Sequence, residues 1–227
     1  MTPPRAAMIF AAGFGTRMRP LTETHPKPLI EVAGRPLIDH ALHLAQGSEP
    51  IVVNTHYLGD QIARHLSDRD IHVVHEPEIL DTGGGLRNAL PLLGPGPVIT
   101  LNSDAVWTGP NPLDTLRAAW DAERMDALLL LVPVPAARGY TGEGDFAVDT
   151  EGRLTRGAGH VYSGAQIIKP EGLADVPDAA FSLNLLWNAM QPEGRLFGVV
   201  HQGGWCDVGH PGGIAEAEAM LEESGHV

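Results

Sequence analysis

The sequence predicts an α/β protein: a doubly wound, mostly parallel sheet followed by a small antiparallel region. Three observations carry this. Short apolar runs alternate with amphipathic stretches from residue 6 to residue 132, as repeated strand–helix–strand units require. The first run breaks into a glycine-containing loop crowded with cations, the kind of loop that binds ligands at strand ends. Beyond residue 133 the runs shorten and alternate around Gly and charge, which reads as hairpins.

The elements follow in order. Residues 6–12 form a short apolar run rich enough in β-formers to be a buried strand. Gly13 and Gly15 then let the backbone come close to a ligand and turn several N–H groups one way. Arg17, Arg19 and Lys27 surround that loop, so a phosphate cradle is expected. A dinucleotide fingerprint would need a third glycine where Met18 stands, and a Walker loop would need Gly-Lys-Ser/Thr. Arg35-Pro36 should open a helix whose apolar face is Leu37, Ile38, Ala41, Leu42 and Ala45. A strand at 51–53, a short helix at 59–66 and a strand at 71–75 come next. Thr82-Gly83-Gly84-Gly85 reads as a second close-approach loop before a helix at 86–93.

Residues 98–102 are a near-continuous apolar strand, and Asp104 sits just past its carboxyl end, where open α/β sheets bind ligands. A helix at 111–123 and a strand at 127–132 complete the alternating part. A hairpin is expected around Glu151-Gly152, a strand at 161–168, a helix at 182–190 capped by Ser182, a strand at 196–200 and a closing helix at 211–223.

Composition narrows the functional classes. Of 227 residues, 43% are apolar and 19% charged, ordinary for a globular protein. The net charge of −13 disfavours nonspecific nucleic-acid binding and makes the N-terminal cations stand out. No apolar run reaches the length of a membrane span. Residues 6–12 lead into the Gly-Arg loop rather than a cleavage site, so no leader is expected. The one cysteine, Cys206, permits no internal disulfide and fits a cytoplasmic protein with a packed thiol. His40 and His43 lack the accompanying pattern of a zinc site.

Several segments together resemble a known family. They are Gly13-x-Gly15-Thr16-Arg17-Met18-Arg19-Pro20-Leu21-Thr22, Pro26-Lys27-Pro28-Leu29, Val32-x-Gly34-x-Pro36-Leu37-Ile38 and Trp205-Cys206-Asp207-Val208-Gly209. The chain is similar along nearly its whole length to the sugar-1-phosphate nucleotidyltransferases. The resemblance implies a Rossmann-like, GT-A-like fold in one domain, with 1–132 mainly holding nucleotide and 133–227 mainly holding sugar and the second metal ligand. It implies Mg²⁺ on Asp104 and Asp207, with Arg17 and Lys27 as catalytic cations. Ala11, Ala12, Gly13, Gly15, Thr16, Arg17, Glu76, Thr82, Gly83 and Asn102 would hold a nucleoside triphosphate. Lys27, Asp145, Ser163 and Gly164 would hold the sugar 1-phosphate. Asn102-Ser103-Asp104 departs from the usual Asn-Gly-Asp, and Arg156-Gly157-Ala158-Gly159 stands where many relatives carry Glu-Lys-Pro.

Within the family the details most resemble the branch that transfers uridylyl from UTP to N-acetylmuramate 1-phosphate. Guanylyl transfer to mannose 1-phosphate and thymidylyl or uridylyl transfer to glucose 1-phosphate stay open. So does a regulatory module that senses nucleotide without turnover; a dehydrogenase fits the residues less well. A monomer or small homo-oligomer is expected.

Overall fold

The computed structural model describes residues 4–225. Strand β1 (Ala7–Phe10) lies at the centre, between β4 (Ile51–Thr55) and β6 (Val98–Asn102), both parallel to it. Beyond β4, β5 (His72–His75) adds a further parallel strand. On the other side β12 (His160–Ile168) runs antiparallel to β6, β8 (Ala127–Pro133) antiparallel to β12, and β13 (Leu196–Val200) parallel to β8. A hairpin of β10 (Phe146–Val148) and β11 (Leu154–Arg156) attaches to the start of β12. The nine-stranded sheet is therefore mixed, with its parallel half where alternating runs predict it.

Side-chain alternation along the central strands explains the layering. Ala7, Ile9 and Ala11 point into one core with Leu128, Leu130 and Val132. Met8 points into the other with Leu129 and Leu131. Helices α1 (Leu37–Leu44), α2 (Gly59–His65) and α4 (Pro112–Ala119) cover the first face with Ile38, Ile62, Leu113 and Leu116. Helices α3 (Asp81–Leu93) and α5 (Asn184–Met190) cover the second with Leu86, Ala89, Leu186 and Trp187.

A second, smaller sheet was not legible in the sequence. Strand β7 (Ala105–Trp107) follows β6 almost at once and pairs antiparallel with β14 (Trp205–Asp207), which pairs parallel with β9 (Ala137–Arg138). Helix α6 (Gly212–Ser224) seals it: Ala217, Met220 and Leu221 pack on Val106, Cys206 and Val208.

Three boundaries differ from expectation; α4, expected over 111–123, ends at Ala119. Arg35–Pro36 is not the first turn of a helix but strand β3, paired with β2 (Glu31–Val32); Pro36 then caps α1 with extended backbone. The glycines at 83–85 are not a loop before a helix but the first turns of α3. Their lack of side chains serves packing. A Cβ on Gly83 would lie 2.5 Å from the Phe181 ring atom Cδ2, and one on Gly85 would lie 2.9 Å from the Glu76 carboxylate.

Candidate active site

The order β5–β4–β1–β6 places a topological switch at β1, since the chain goes first to one side of it and then to the other. A crevice opens at the carboxyl ends of β1 and β6, where such sheets bind ligands. Its volume is ≈ 230 Å³, and Phe10, Ala11, Ala12, Gly13, Lys27, Asn54, Glu76, Thr82, Asn102 and Asp104 are among its walls. A second cavity of ≈ 250 Å³ shares Phe10, Asp81, Thr82 and Asn102 with the first and continues past Asp145, Arg156, Tyr162, Gln166 and Trp187.

The first loop is shaped by Gly15, which is left-handed at φ 62°. A Cβ there would lie 2.9 Å from the Thr22 methyl and 3.0 Å from Lys27 Cβ, so only glycine fits. The Thr22 hydroxyl donates to the Gly15 carbonyl at 2.8 Å and closes the turn. The 3₁₀ turn Thr16–Met18 follows, carrying Arg17 outward while Met18 is buried.

Strand pairing brings the two distant acids together. Asp207 pairs with Ala105 across β7 and β14, and the Val208 amide donates to the Asp104 carbonyl at 2.9 Å. Lys27 Nζ donates to Asp104 Oδ2 at 2.8 Å. The Arg17 guanidinium and the Asp207 carboxylate converge on Gly209, where an added Cβ would meet Asp207 Oδ2 at 2.7 Å and both terminal nitrogens of Arg17 at 3.2 Å. Burial raises the Asp207 pKa above the usual carboxylate range, and the neighbouring Asp104 charge adds to it; Lys27, Arg17 and His210 oppose the shift. The two acids thus lie side by side among three basic groups. Among the described residues no cluster of three or more His, Cys, Asp or Glu side chains could hold a metal, so protein ligation at this point is limited to two carboxylates.

Behind the crevice a buried chain of hydrogen bonds sets the backbone. Glu76, fully buried, accepts from Asn54 Nδ2 at 2.7 Å and from the Leu80 amide at 3.2 Å. Asn54 Oδ1 accepts from the Ala11 amide at 2.9 Å. Glu76 therefore fixes the loop after β1 through Asn54, which sequence reasoning missed as a site residue; a polar residue inside an apolar strand run was the available signal. The Ser103 hydroxyl donates to the Phe10 carbonyl at 2.6 Å and ties the ends of β1 and β6 together. Ser103 is not among the residues with positive φ, so the usual glycine is not needed for this turn.

At three of the expected ligand positions the protein itself takes up groups that were expected to face a ligand. Gly83 packs on Phe181, and its amide is committed to the Phe181 carbonyl at 2.8 Å. Ser163 is buried and its hydroxyl donates to the Leu130 carbonyl at 2.7 Å, so the side chain turns into the sheet. Gly164, at φ 86°, makes room for Asn102, whose amide nitrogen would be 2.7 Å from an added Cβ. Both lie in the irregularity of β12 between Tyr162 and Gln166. Asp145 does reach the second cavity, with Oδ2 accepting from the Tyr162 amide at 2.8 Å. Thr82 lines both cavities, and its hydroxyl accepts from the Leu183 amide at 3.0 Å. Gly15, Thr16 and Arg17 lie further along the loop than Gly13, the last of its residues in the first cavity's wall. His40 plays an ordinary structural part, since a ring nitrogen donates to the Val32 carbonyl at 3.1 Å.

A crevice at a sheet switch point, with Lys27 and Asp104 in its wall and Arg17 and Asp207 beside them, is the arrangement of a nucleotide-handling α/β protein. Comparison with known proteins makes this specific. Residues 7–140 match the MobA-like NTP transferase domain, and the chain belongs to that nucleotidyltransferase family. It is 42% identical to N-acetylmuramate alpha-1-phosphate uridylyltransferase of Caulobacter vibrioides, over 97% of this chain and 98% of that one. It is 37% identical to the enzyme of the same name from Neisseria meningitidis serogroup B, over 94% and 97%. The fold resembles the crystal structure of HddC from Yersinia pseudotuberculosis complexed with GMP-PN, with a TM-score of 0.75, 24% identity and coverage of 94% of this chain and 97% of that one.

Proposed function

We propose that this chain transfers a uridylyl group from UTP to N-acetylmuramate α-1-phosphate, releasing pyrophosphate. The observation that carries the reaction class is the pairing of β7 with β14, which sets Asp104 and Asp207 side by side next to Lys27 and Arg17. The choice of base and sugar draws on the similarity to the two uridylyltransferases.

The reaction is a displacement at the α-phosphorus. An oxygen of the sugar phosphate forms the new P–O bond, the bond to the bridging oxygen breaks, and pyrophosphate leaves with that electron pair. The attacking oxygen is already anionic at neutral pH, so no general base is needed. The obstacle is the approach of one anion to another, and fixed cations with in-line positioning reduce it. Lys27, held at the mouth of the crevice, would offset charge on the α-phosphate or the incoming sugar phosphate. Arg17 would hold the phosphates that leave. The Ala12-Gly13 segment would present backbone to the triphosphate, with Thr82 and Asn102 at the junction of the two cavities.

Asp104 and Asp207 fit a hard dication. Both offer only oxygen, burial and mutual repulsion disfavour the charged form of Asp207, and two carboxylates leave room for phosphate oxygens, as Mg²⁺ prefers. When bound, such an ion would supply Lewis-acid stabilisation of charge on the phosphates. The lone thiol, buried Cys206, suits a cytoplasmic setting.

The test is pyrophosphate release by Asp104→Asn and Asp207→Asn, with UTP and N-acetylmuramate 1-phosphate. Each variant should lose on the order of 10²–10³ in rate while keeping a cooperative unfolding transition. Wild-type turnover retained in either variant would remove that acid from the site.

A further inference from the structure

The second cavity holds one cation that the reaction chemistry leaves unused. Arg156 ends β11 and reaches over the pocket wall. Its guanidinium lies 4.6 Å from the centre of the Phe146 ring and 5.4 Å from that of Trp187. Nη2 donates to Asn184 Oδ1 at 2.5 Å and to Asn188 Oδ1 at 3.3 Å. These partners are neutral, and none of the ion pairs among the described residues includes Arg156. The nearest counter-charge is Asp145, on the same wall, already accepting from the Tyr162 amide. Two aromatic faces and two amides thus fix the plane of the guanidinium, whose charge faces solvent and the Asp145 carboxylate and is tied up in no ion pair among the described residues.

A second wall group is also incomplete. Gln166 is fully buried; its Oε1 accepts from Trp187 Nε1 at 2.9 Å, and its Nε2 has the Tyr162 hydroxyl near it but makes no full hydrogen bond. A buried amide donor without a full hydrogen bond carries a desolvation cost that a ligand acceptor removes. The cavity therefore offers a planar cation and a neutral donor, and it opens onto the crevice at Asn102 and Thr82.

We propose that Arg156 is the specificity-determining residue of this pocket, selecting an acceptor sugar whose ring bears a carboxylate substituent. A planar, pre-oriented guanidinium suits a carboxylate, which it can bind through two parallel N–H···O bonds. A neutral sugar would leave that cation without a partner and beside Asp145 alone. The proposal rests on the reading of the site as a sugar-1-phosphate nucleotidyltransferase and adds the residue that discriminates among sugars.

The experiment measures kcat/KM for pyrophosphate release with UTP and a matched pair: N-acetylmuramate 1-phosphate and N-acetylglucosamine 1-phosphate, which has the same ring without the lactyl carboxylate. Wild-type protein should favour the acid. Arg156→Gln should lower the acid-to-neutral ratio by roughly 10- to 100-fold, the range of one hydrogen bond to a charged group, chiefly through KM for the acid. Arg156→Lys should keep part of the ratio, as charge without the planar fork. A third substrate, the lactamide of N-acetylmuramate 1-phosphate, asks the question without a variant; on wild type it should behave like the neutral sugar. Equal losses on both sugars in Arg156→Gln, or full activity with the lactamide, would overturn the assignment and leave the proposed reaction standing. Wild-type protein that used neither sugar phosphate would overturn the proposed reaction itself.

Discussion

Helix α3 offers a stringent test of how the site is built, through Gly84→Ala. In an exposed helix this change would stabilise by about 0.8–1 kcal/mol, because alanine is the better helix former. Here the added Cβ would lie 2.3 Å from the Ala179 carbonyl oxygen and 3.1 Å from Leu80 Cβ. The first neighbour is backbone, so no rotamer change relieves it, and relief requires α3 and the segment at 179 to part by about 1 Å. Overpacking of this kind costs about 1–3 kcal/mol, so the net expectation is a loss of up to about 2 kcal/mol. The separation also strains the contacts of Asp81 and Thr82, which line both cavities, including the bond from the Leu183 amide to Thr82. Urea denaturation reads the stability, and KM for both substrates reads the site. Asn88→Ala, on the exposed side of the same helix, is the control and should gain a few tenths of a kcal/mol. Gly84→Ala at least as stable as wild type, with unchanged KM values, would refute the view that these glycines exist for close packing.

Two further expectations concern titratable groups. Arg195 and Lys169 hydrogen-bond Asp126 and hold its pKa at about 2, against burial acting the other way. A carboxylate with a depressed folded pKa contributes stability above its unfolded value, near 3.8, that disappears as pH falls toward 2. Asp126→Asn should therefore cost on the order of 1 kcal/mol at pH 6, discounted because the side chain is 31% exposed. The difference between variant and wild-type urea midpoints should shrink at pH 3; a difference independent of pH would refute the ion-pair account. Burial raises the Cys206 pKa to about 12, with Glu216 and Asp207 adding to the shift. Its alkylation at pH 8 should then follow unfolding, and rapid modification of native protein by iodoacetamide would contradict the packing seen around it.

The sequence made the parallel half of the sheet legible because its inner strands β1, β4 and β6 are largely buried and read as apolar runs. It also pointed to Arg17, Lys27, Asp104 and Asp207, and the structure brings these to one place. It misled at 83–85 for a definite reason. Glycine permits close approach, but the sequence does not say of what, and here Phe181 and the Ala179 carbonyl take the space a ligand was expected to fill. Ser163 failed in a related way: a β-bulge between Tyr162 and Gln166 shifts which side chains face the pocket, and strand alternation gives no warning of it. Asn54 and Gln166 escaped notice, and Arg156 was noted only as a departure from relatives, because their importance arises from what the fold sets beside them.

The small sheet β7–β14–β9 explains why two acids far apart in the chain stay together although they repel. Side-chain contact cannot hold Asp207 beside Asp104, since the Asp104 charge raises the cost of ionising Asp207. Backbone pairing does it: Trp205 opposite Trp107, Cys206 opposite Val106, then Asp207 opposite Ala105. The apolar residues of those same strands anchor that pairing, with Trp205 and Trp107 in edge contact at 6.3 Å and Cys206 and Val106 fully buried under α6. Apolar packing on α6 thus bears the electrostatic cost of the acid pair, and Lys27 and Arg17 reduce it. Helix α6 supplies no group to the walls of either cavity, and its part in the site is this anchoring of β7 and β14.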